Sequence, residues 1–168
     1  MPSTNTSSAI QIGFRFLLLL LFLSLLAGCS RELKRIYLES RIEAVEDLNP
    51  NKEGESSPVV MRIYQLKTIG AFQSADFFAL MDDEARAIGE DLIAREELEL
   101  RPGQSIEMRR NFGPAVRYIG VVVAFRDLEK ARWRAFSQLP RKTWVRSHKR
   151  VGITIRLERL AVDIDVTR

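Results

Sequence analysis

Few residues in this chain have the types and spacing that chemistry needs. They are a single cysteine, Cys29, a single histidine, His148, and the acidic runs Asp82-Asp83-Glu84 and Glu96-Glu97-x-Glu99. Two further groups have the makings of recognition surfaces: a basic run, Arg141, Lys142, Arg146, Lys149 and Arg150 around Trp144, and a turn-rich segment, Asn49–Ser57. His148 is the natural general base, but Arg146, Lys149 and Arg150 disfavour its charged form, and no carboxylate is marked as its partner. G-x-S-x-G, H-E-x-x-H, P-loop and dinucleotide fingerprints are all absent. A histidine in a surface loop is the plainer reading. The first acidic run lacks the spacing of a calcium loop and suits helix N-termini; the second suits the solvated side of a strand. One cysteine and one histidine exclude an intramolecular disulfide and fall short of the four ligands of a structural zinc site. The chain is therefore expected to be neither an enzyme nor a metalloprotein.

Cys29 has a different setting. Residues 16–26 read FLLLLLFLSLL, followed at once by Ala27-Gly28-Cys29. Eleven helical residues span about 16 Å, roughly half of a bilayer's hydrocarbon core, so a signal-peptide apolar region fits better than a transmembrane helix. Leu26-Ala27-Gly28-Cys29 resembles the bacterial lipobox, in which diacylglycerol is attached to the thiol and cleavage then leaves an N-acylated cysteine first. An ordinary secretory signal with an incidental cysteine, or an uncleaved anchor, are the bland alternatives. On the lipobox reading, residues 1–28 are a signal peptide, 29–34 a lipidated tether and 35–168 the folded domain. No other cofactor is implied. Ser30 stands where inner-membrane lipoproteins of enteric type carry Asp, and by resemblance to that sorting rule the destination is the periplasmic face of the outer membrane.

That address changes what the charge means. The 168 residues carry a formal charge of +4, and without residues 1–28 there remain 25 basic and 22 acidic side chains, or +3. In a cytosolic protein the run 141–150 would suggest nucleic acid. In an exported one the available polyanions are lipid headgroups or an acidic protein surface, and a solvated loop between strands is the alternative. With 46% hydrophobic and 29% charged residues, the chain is too apolar for disorder and too charged to cross a membrane repeatedly.

The elements that must position these groups are mostly strands. Residues 36–45 alternate, with Ile36, Leu38, Ser40, Ile42 and Ala44 on one face. The stretch from Asp47 to Pro58 is turn chemistry, long for a hairpin, and long loops are often functional. Strands are predicted over 59–67, 96–101, 105–109, 116–125, 131–136, 151–157 and 160–166, with 116–125 buried on both faces. Arg101-Pro102-Gly103-Gln104 suits a type II turn. Between 70 and 94 the apolar period turns helical, predicting two short helices broken near Asp82, with Ser74 and Asp82 or Asp83 as N-caps. The expectation is an all-β, mainly antiparallel sandwich of about eight strands with a small helical insertion after the second strand.

Several stretches together resemble one family. Leu48-Asn49-Pro50, then Ser57-Pro58-Val59-Val60-Met61-Arg62-Ile63-Tyr64-Gln65-Leu66-Lys67, then Ala75-Asp76-Phe77-Phe78-Ala79-Leu80, are similar to the TssJ lipoproteins of the type VI secretion system. Tyr118–Asp127 and Ala131-x-Trp133-Arg134 follow in the same order. The resemblance implies a transthyretin-like β-sandwich on the periplasmic face of the outer membrane. It also implies a partner, the periplasmic C-terminal domain of the inner-membrane protein TssM, and no nucleic acid or small-molecule substrate. The loop between the first two strands is implicated in that contact, here Asn49, Pro50, Asn51, Lys52, Glu53, Gly54, Glu55, Ser56 and Ser57. A loop that merely connects strands is the alternative reading of this segment. Two other functions stay open at this stage: a small-ligand-binding or envelope-linking lipoprotein on the same fold, and a periplasmic hydrolase using His148.

Overall fold

A computed structural model describes residues 36–140 and 152–167. Eight strands form two four-stranded sheets. The first has the order β4-β1-β7-β8 and the second β3-β2-β5-β6. The strands are β1 (Ile36–Ala44), β2 (Val59–Leu66), β3 (Leu92–Leu100), β4 (Ser105–Phe112), β5 (Tyr118–Val123), β6 (Arg134–Gln138), β7 (Gly152–Glu158) and β8 (Ala161–Thr167). Every neighbouring pair is antiparallel except β1–β7, which runs parallel with Glu39 opposite Gly152 and Ala44 opposite Leu157. Alternation along β1 puts Ile42 in the core between the sheets, facing Ile153, Ile155 and Leu157 of β7 and Met61, Ile63, Val121 and Val123 of the other sheet. The opposite face of β1 carries Glu39, Arg41 and Glu43, each standing across from a cation or anion: Arg109, Glu107 and Arg156. Opposite charges on directly paired strands suit a face that stays wet.

β5 is apolar on both faces, and β2 turns Tyr64 and Leu66 outward, where the insertion covers them. Three short helices lie there, α1 (Gly70–Ser74), α2 (Phe77–Asp82) and α3 (Glu84–Ile88), followed by a 3-10 turn over Gly89–Asp91. Helices of five or six residues are unstable alone, so tertiary contacts must hold them. Phe72, Leu80 and Ile88 bury against Tyr64, Leu66 and Val122. Side chains of the sheet also take the carbonyls left free at the helix ends. Tyr64 Oη donates to Leu80 O at 2.7 Å, Arg62 Nη1 to Met81 O at 2.5 Å, and Arg134 Nη1 to Phe72 O and Ala75 O at 2.9 and 2.8 Å. Gly120 is required under this layer, since a Cβ there would stand 2.6 Å from the Phe72 ring.

The insertion departs from the sequence reading in detail. There are three helices where two were expected; Asp83 caps α3, one of the two aspartates expected there, while Asp76 and not Ser74 caps α2. Ser74 instead closes α1, its hydroxyl donating to Gly70 O and Ala71 O. β3 begins at Leu92 rather than 96, and β6 at Arg134 rather than 131. Arg132 forms an isolated parallel bridge to Ala161 that joins the two sheets, which delays the start of β6. Glu96, expected on the solvated side, turns inward and pairs with the buried Arg110 guanidinium, whose Nε also donates to Ser40 Oγ at 3.0 Å. Among the described residues no helix is long and apolar enough to cross a membrane.

Strand directions give the sandwich two distinct ends. β1 starts at one end and delivers the chain to residues 45–58 at the other, about 30 Å away for a nine-residue strand. The β3–β4 turn, the β5–β6 turn and the β7–β8 turn return to that same loop end. Gly103 N donates to Val45 O and Asn49 N to Arg159 O, which ties two of these turns to the loop.

Candidate functional site

The segment Asn49–Ser57 is built around two asparagines. Asn49 lies almost wholly buried with φ +49°, a left-handed conformation in which Asn is among the few tolerated residues. Its amide Nδ2 donates to Ser57 Oγ at 3.2 Å and Pro58 O at 3.1 Å, and its Oδ1 accepts from Arg126 N at 2.7 Å. Ser57 Oγ donates back to Asn49 O at 2.6 Å, and Ser57 N to Leu48 O at 3.0 Å. The two ends of the loop are thus clasped together and fixed to the β5–β6 turn by one side chain. Asn51 shapes the tip. Its Oδ1 accepts from Glu53 N and Glu55 N, its Nδ2 donates to the Glu55 carboxylate at 2.9 Å, and its backbone N bonds Glu55 O. Gly54, at φ +87°, closes that turn where a side chain would be strained.

Burial divides the predicted loop residues by role. Asn49 and Pro50 are buried and set the conformation, Asn51 and Ser57 are half-buried, and Lys52, Glu53, Gly54, Glu55 and Ser56 are exposed. The exposed five are the surface a partner would meet. Beside them lies a groove of about 680 Å³ lined by Pro50, Asn51, Lys52, Arg126, Asp127, Lys130, Arg159 and Leu160. Arg126, Asp127, Lys130 and Arg159 were not among the site residues expected from the sequence. The signal available was topological: in a sandwich, the turns that close alternate hairpins share an end. Asp127 and Lys130 pair at 2.7 Å, which holds the Asp127 carboxyl below and the Lys130 ammonium above their ordinary ranges. Arg159 pairs with Asp47 at 3.3 Å.

The remaining candidates fall elsewhere. Cys29, His148 and the basic residues Arg141, Lys142, Arg146, Lys149 and Arg150 lie outside the described residues. Asp83 caps α3, and Glu84 pairs with Arg95 at 2.8 Å and Arg62 at 3.5 Å, so the first acidic run anchors the insertion. Glu97 joins the same network at 2.7 Å from Arg62. Among the described residues no cluster of His, Cys, Asp or Glu has metal-binding geometry. A second concavity, about 450 Å³, lies on the wet face of the first sheet over Arg41, Glu107 and Arg109. Both concavities are lined with charge, unlike the apolar interior of a small-ligand carrier.

Comparison with known proteins agrees with this architecture. No curated protein matches the chain. The crystal structure of the T6SS lipoprotein TssJ1 from Pseudomonas aeruginosa is 31% identical with a TM-score of 0.73, the match covering 80% of this chain and 98% of that one. A chain of a type VI membrane complex is 29% identical with a TM-score of 0.62, covering 75% of this chain and 95% of that one. A chain in the structure of the T6SS protein TssM C-terminal domain from EAEC is 26% identical with a TM-score of 0.58, covering 77% and 99%. The family model described as type VI secretion lipoprotein, VasD, EvfM, TssJ matches residues 37–160. With well over half its length matched, the chain belongs to this family of TssJ lipoproteins of the type VI secretion membrane complex.

Proposed function

We propose that this lipoprotein is a non-enzymatic anchor, held by acyl chains on Cys29 at the periplasmic face of the outer membrane and binding the periplasmic domain of TssM through Asn49–Ser57. The observation that carries the reading is the double clasp of that loop by Asn49 and Asn51. The clasp holds the exposed tip in one conformation before any partner is met. Pre-organisation matters for binding because a loop already ordered loses little entropy on contact. Position supports the same reading. β1 begins seven residues after Cys29 along the chain, and the loop lies at the far end of the strand. A domain arranged this way can be held by lipid and still offer its loop towards the periplasm. The run Arg141–Arg150 is proposed as a membrane-surface patch: the chain resumes at Gly152, opposite Glu39, near the end where β1 starts.

The test is direct binding of the purified chain to the periplasmic domain of TssM from the same bacterium. The native chain should bind, and replacing Lys52, Glu53 and Glu55 together by Ala should weaken binding about tenfold or more while leaving the unfolding transition nearly unchanged. No binding by the native chain would remove the partner from the reading.

A further inference from the structure

We propose that the groove beside the loop is a second part of the docking surface and receives an acidic segment of the same partner, with Arg126 and Lys52 as its principal anion contacts. This rests on the TssM reading above and extends it to residues from other turns. Four of the five charged side chains lining the groove are cationic, Lys52, Arg126, Lys130 and Arg159, against Asp127 alone. Asp127 and Asp47 are already committed, to Lys130 and Arg159. Among the described residues no carboxylate lies within ion-pair distance of Arg126 or Lys52. The Arg126 guanidinium touches only a neutral acceptor, Ser57 Oγ at 3.3 Å.

The cations are also held in register. Asn49 bonds the backbone of Arg126 through its side chain and the backbone of Arg159 through its own N–H, at 2.7 and 2.8 Å. The loop, the β5–β6 turn and the β7–β8 turn therefore keep fixed backbone separations, so an anion held at one of them stands beside the cations carried by the others. Pro50 and Leu160 give the groove an apolar floor, which suits a peptide segment whose carboxylates face the rim. A guanidinium with free donors is well matched to carboxylate in two-pronged geometry. Cationic rims of this kind act mainly on the association rate and its salt dependence.

The experiment uses the full lipidated chain in detergent micelles, titrated with the periplasmic domain of TssM at about 50 mM and about 500 mM salt. Native binding should weaken several-fold at the higher salt. The charge-neutral double variant Lys52→Gln with Arg126→Gln should bind about tenfold more weakly at low salt, chiefly through a slower association, and should lose most of the salt dependence. The variant Arg126→Lys should bind within a few-fold of native. A deca-glutamate peptide should compete with TssM on the native chain, and a deca-lysine peptide should not. If the native chain binds and the double variant binds equally well with unchanged salt dependence, the groove is overturned and the loop reading stands. If the double variant instead loses binding only to phosphatidylglycerol vesicles, the occupant is a lipid surface and the proposal is overturned. If the native chain does not bind TssM, both readings fall together.

Discussion

Asn49 concentrates the conformation of the loop end in one side chain. Three hydrogen bonds leave its amide, its own N–H bonds Arg159 O, and its backbone sits at φ +49° in a nearly dry site. Removing the amide would leave Arg126 N and Pro58 O without their partners in a part-buried setting, and each such hydrogen bond contributes about 0.5–1.5 kcal/mol. Alanine would also have to occupy the left-handed region, at about 1–2 kcal/mol. Asn49→Ala should therefore lower the unfolding free energy by about 2–4 kcal/mol, measured by denaturant titration. Asn49→Gly removes the backbone penalty alone and should fall between Asn49→Ala and native. Equal losses for the two would mean that the conformation costs nothing and that hydrogen bonding carries the whole effect. Part of this role was open to sequence reasoning, which placed Asn49-Pro50 at a turn. Its burial was not, because turn chemistry is normally solvated and nothing local marks a turn that folds inward.

At the scale of elements, the helical insertion is fastened to the second sheet by polar ties laid over an apolar contact. Arg62 is the centre. It bonds Met81 O at the end of α2, pairs with Glu97 of β3 and approaches Glu84 of α3. Burial works against its charge, but the hydrogen bonds it makes with Glu97 and Tyr64 prevail and its pKa stands above the ordinary value. Reciprocally, the hydrogen bond from Arg62 and its charge hold the Glu97 carboxyl below its ordinary 4.5. A carboxyl depressed on folding adds stability that is present above its unfolded pKa and is lost as pH falls through the folded one. Glu97→Gln should therefore lower the melting temperature at neutral pH, and the gap to native should close as the pH drops below about 4.5. A gap that stays constant down to strongly acidic pH would show that Glu97 acts by packing alone. The existence of this insertion was legible from the change of period at Gly70, and β1, β2 and β5 from their alternation or apolar runs. The cap at Asp83 was legible too, but the one at Asp76 was not, because Ser74 and Asp76 are equally good cap residues in sequence and only the docking of Phe72 and Leu80 decides which one ends outside a helix. Glu96 was misread for a related reason: its inward partner, Arg110, comes from β4 across the turn, and pairing of a buried charge is a tertiary fact.

At the scale of the whole molecule, strand direction sets which connections share an end of the sandwich. The parallel pair β1–β7 matters here, since it brings Gly152 beside Glu39 and so returns the chain to the end where β1 begins. The opposite end gathers the loop and the turns after β3, β5 and β7, and it holds the left-handed backbone positions Asn49 and Gly54. Sequence reasoning reached β1 and the loop separately, but not which turns share the loop's end, because that depends on how many strands lie between them and which way each runs. Variants at one end should then act independently of variants at the other, as sites far apart with no shared partners usually do. Cys29→Ser supplies the decisive case. It should abolish stable fractionation with the outer membrane, since several buried acyl chains contribute roughly 0.8 kcal/mol per CH₂ and a salt-screened basic run such as Arg141–Arg150 does not replace them. The same variant should keep native affinity for the periplasmic domain of TssM in solution and a native unfolding transition, while type VI secretion in cells is lost. Loss of secretion with affinity intact would place the requirement for lipid in anchoring. A matching fall in affinity would mean that the acylated end takes part in binding, and the separation of the two ends would have to be abandoned.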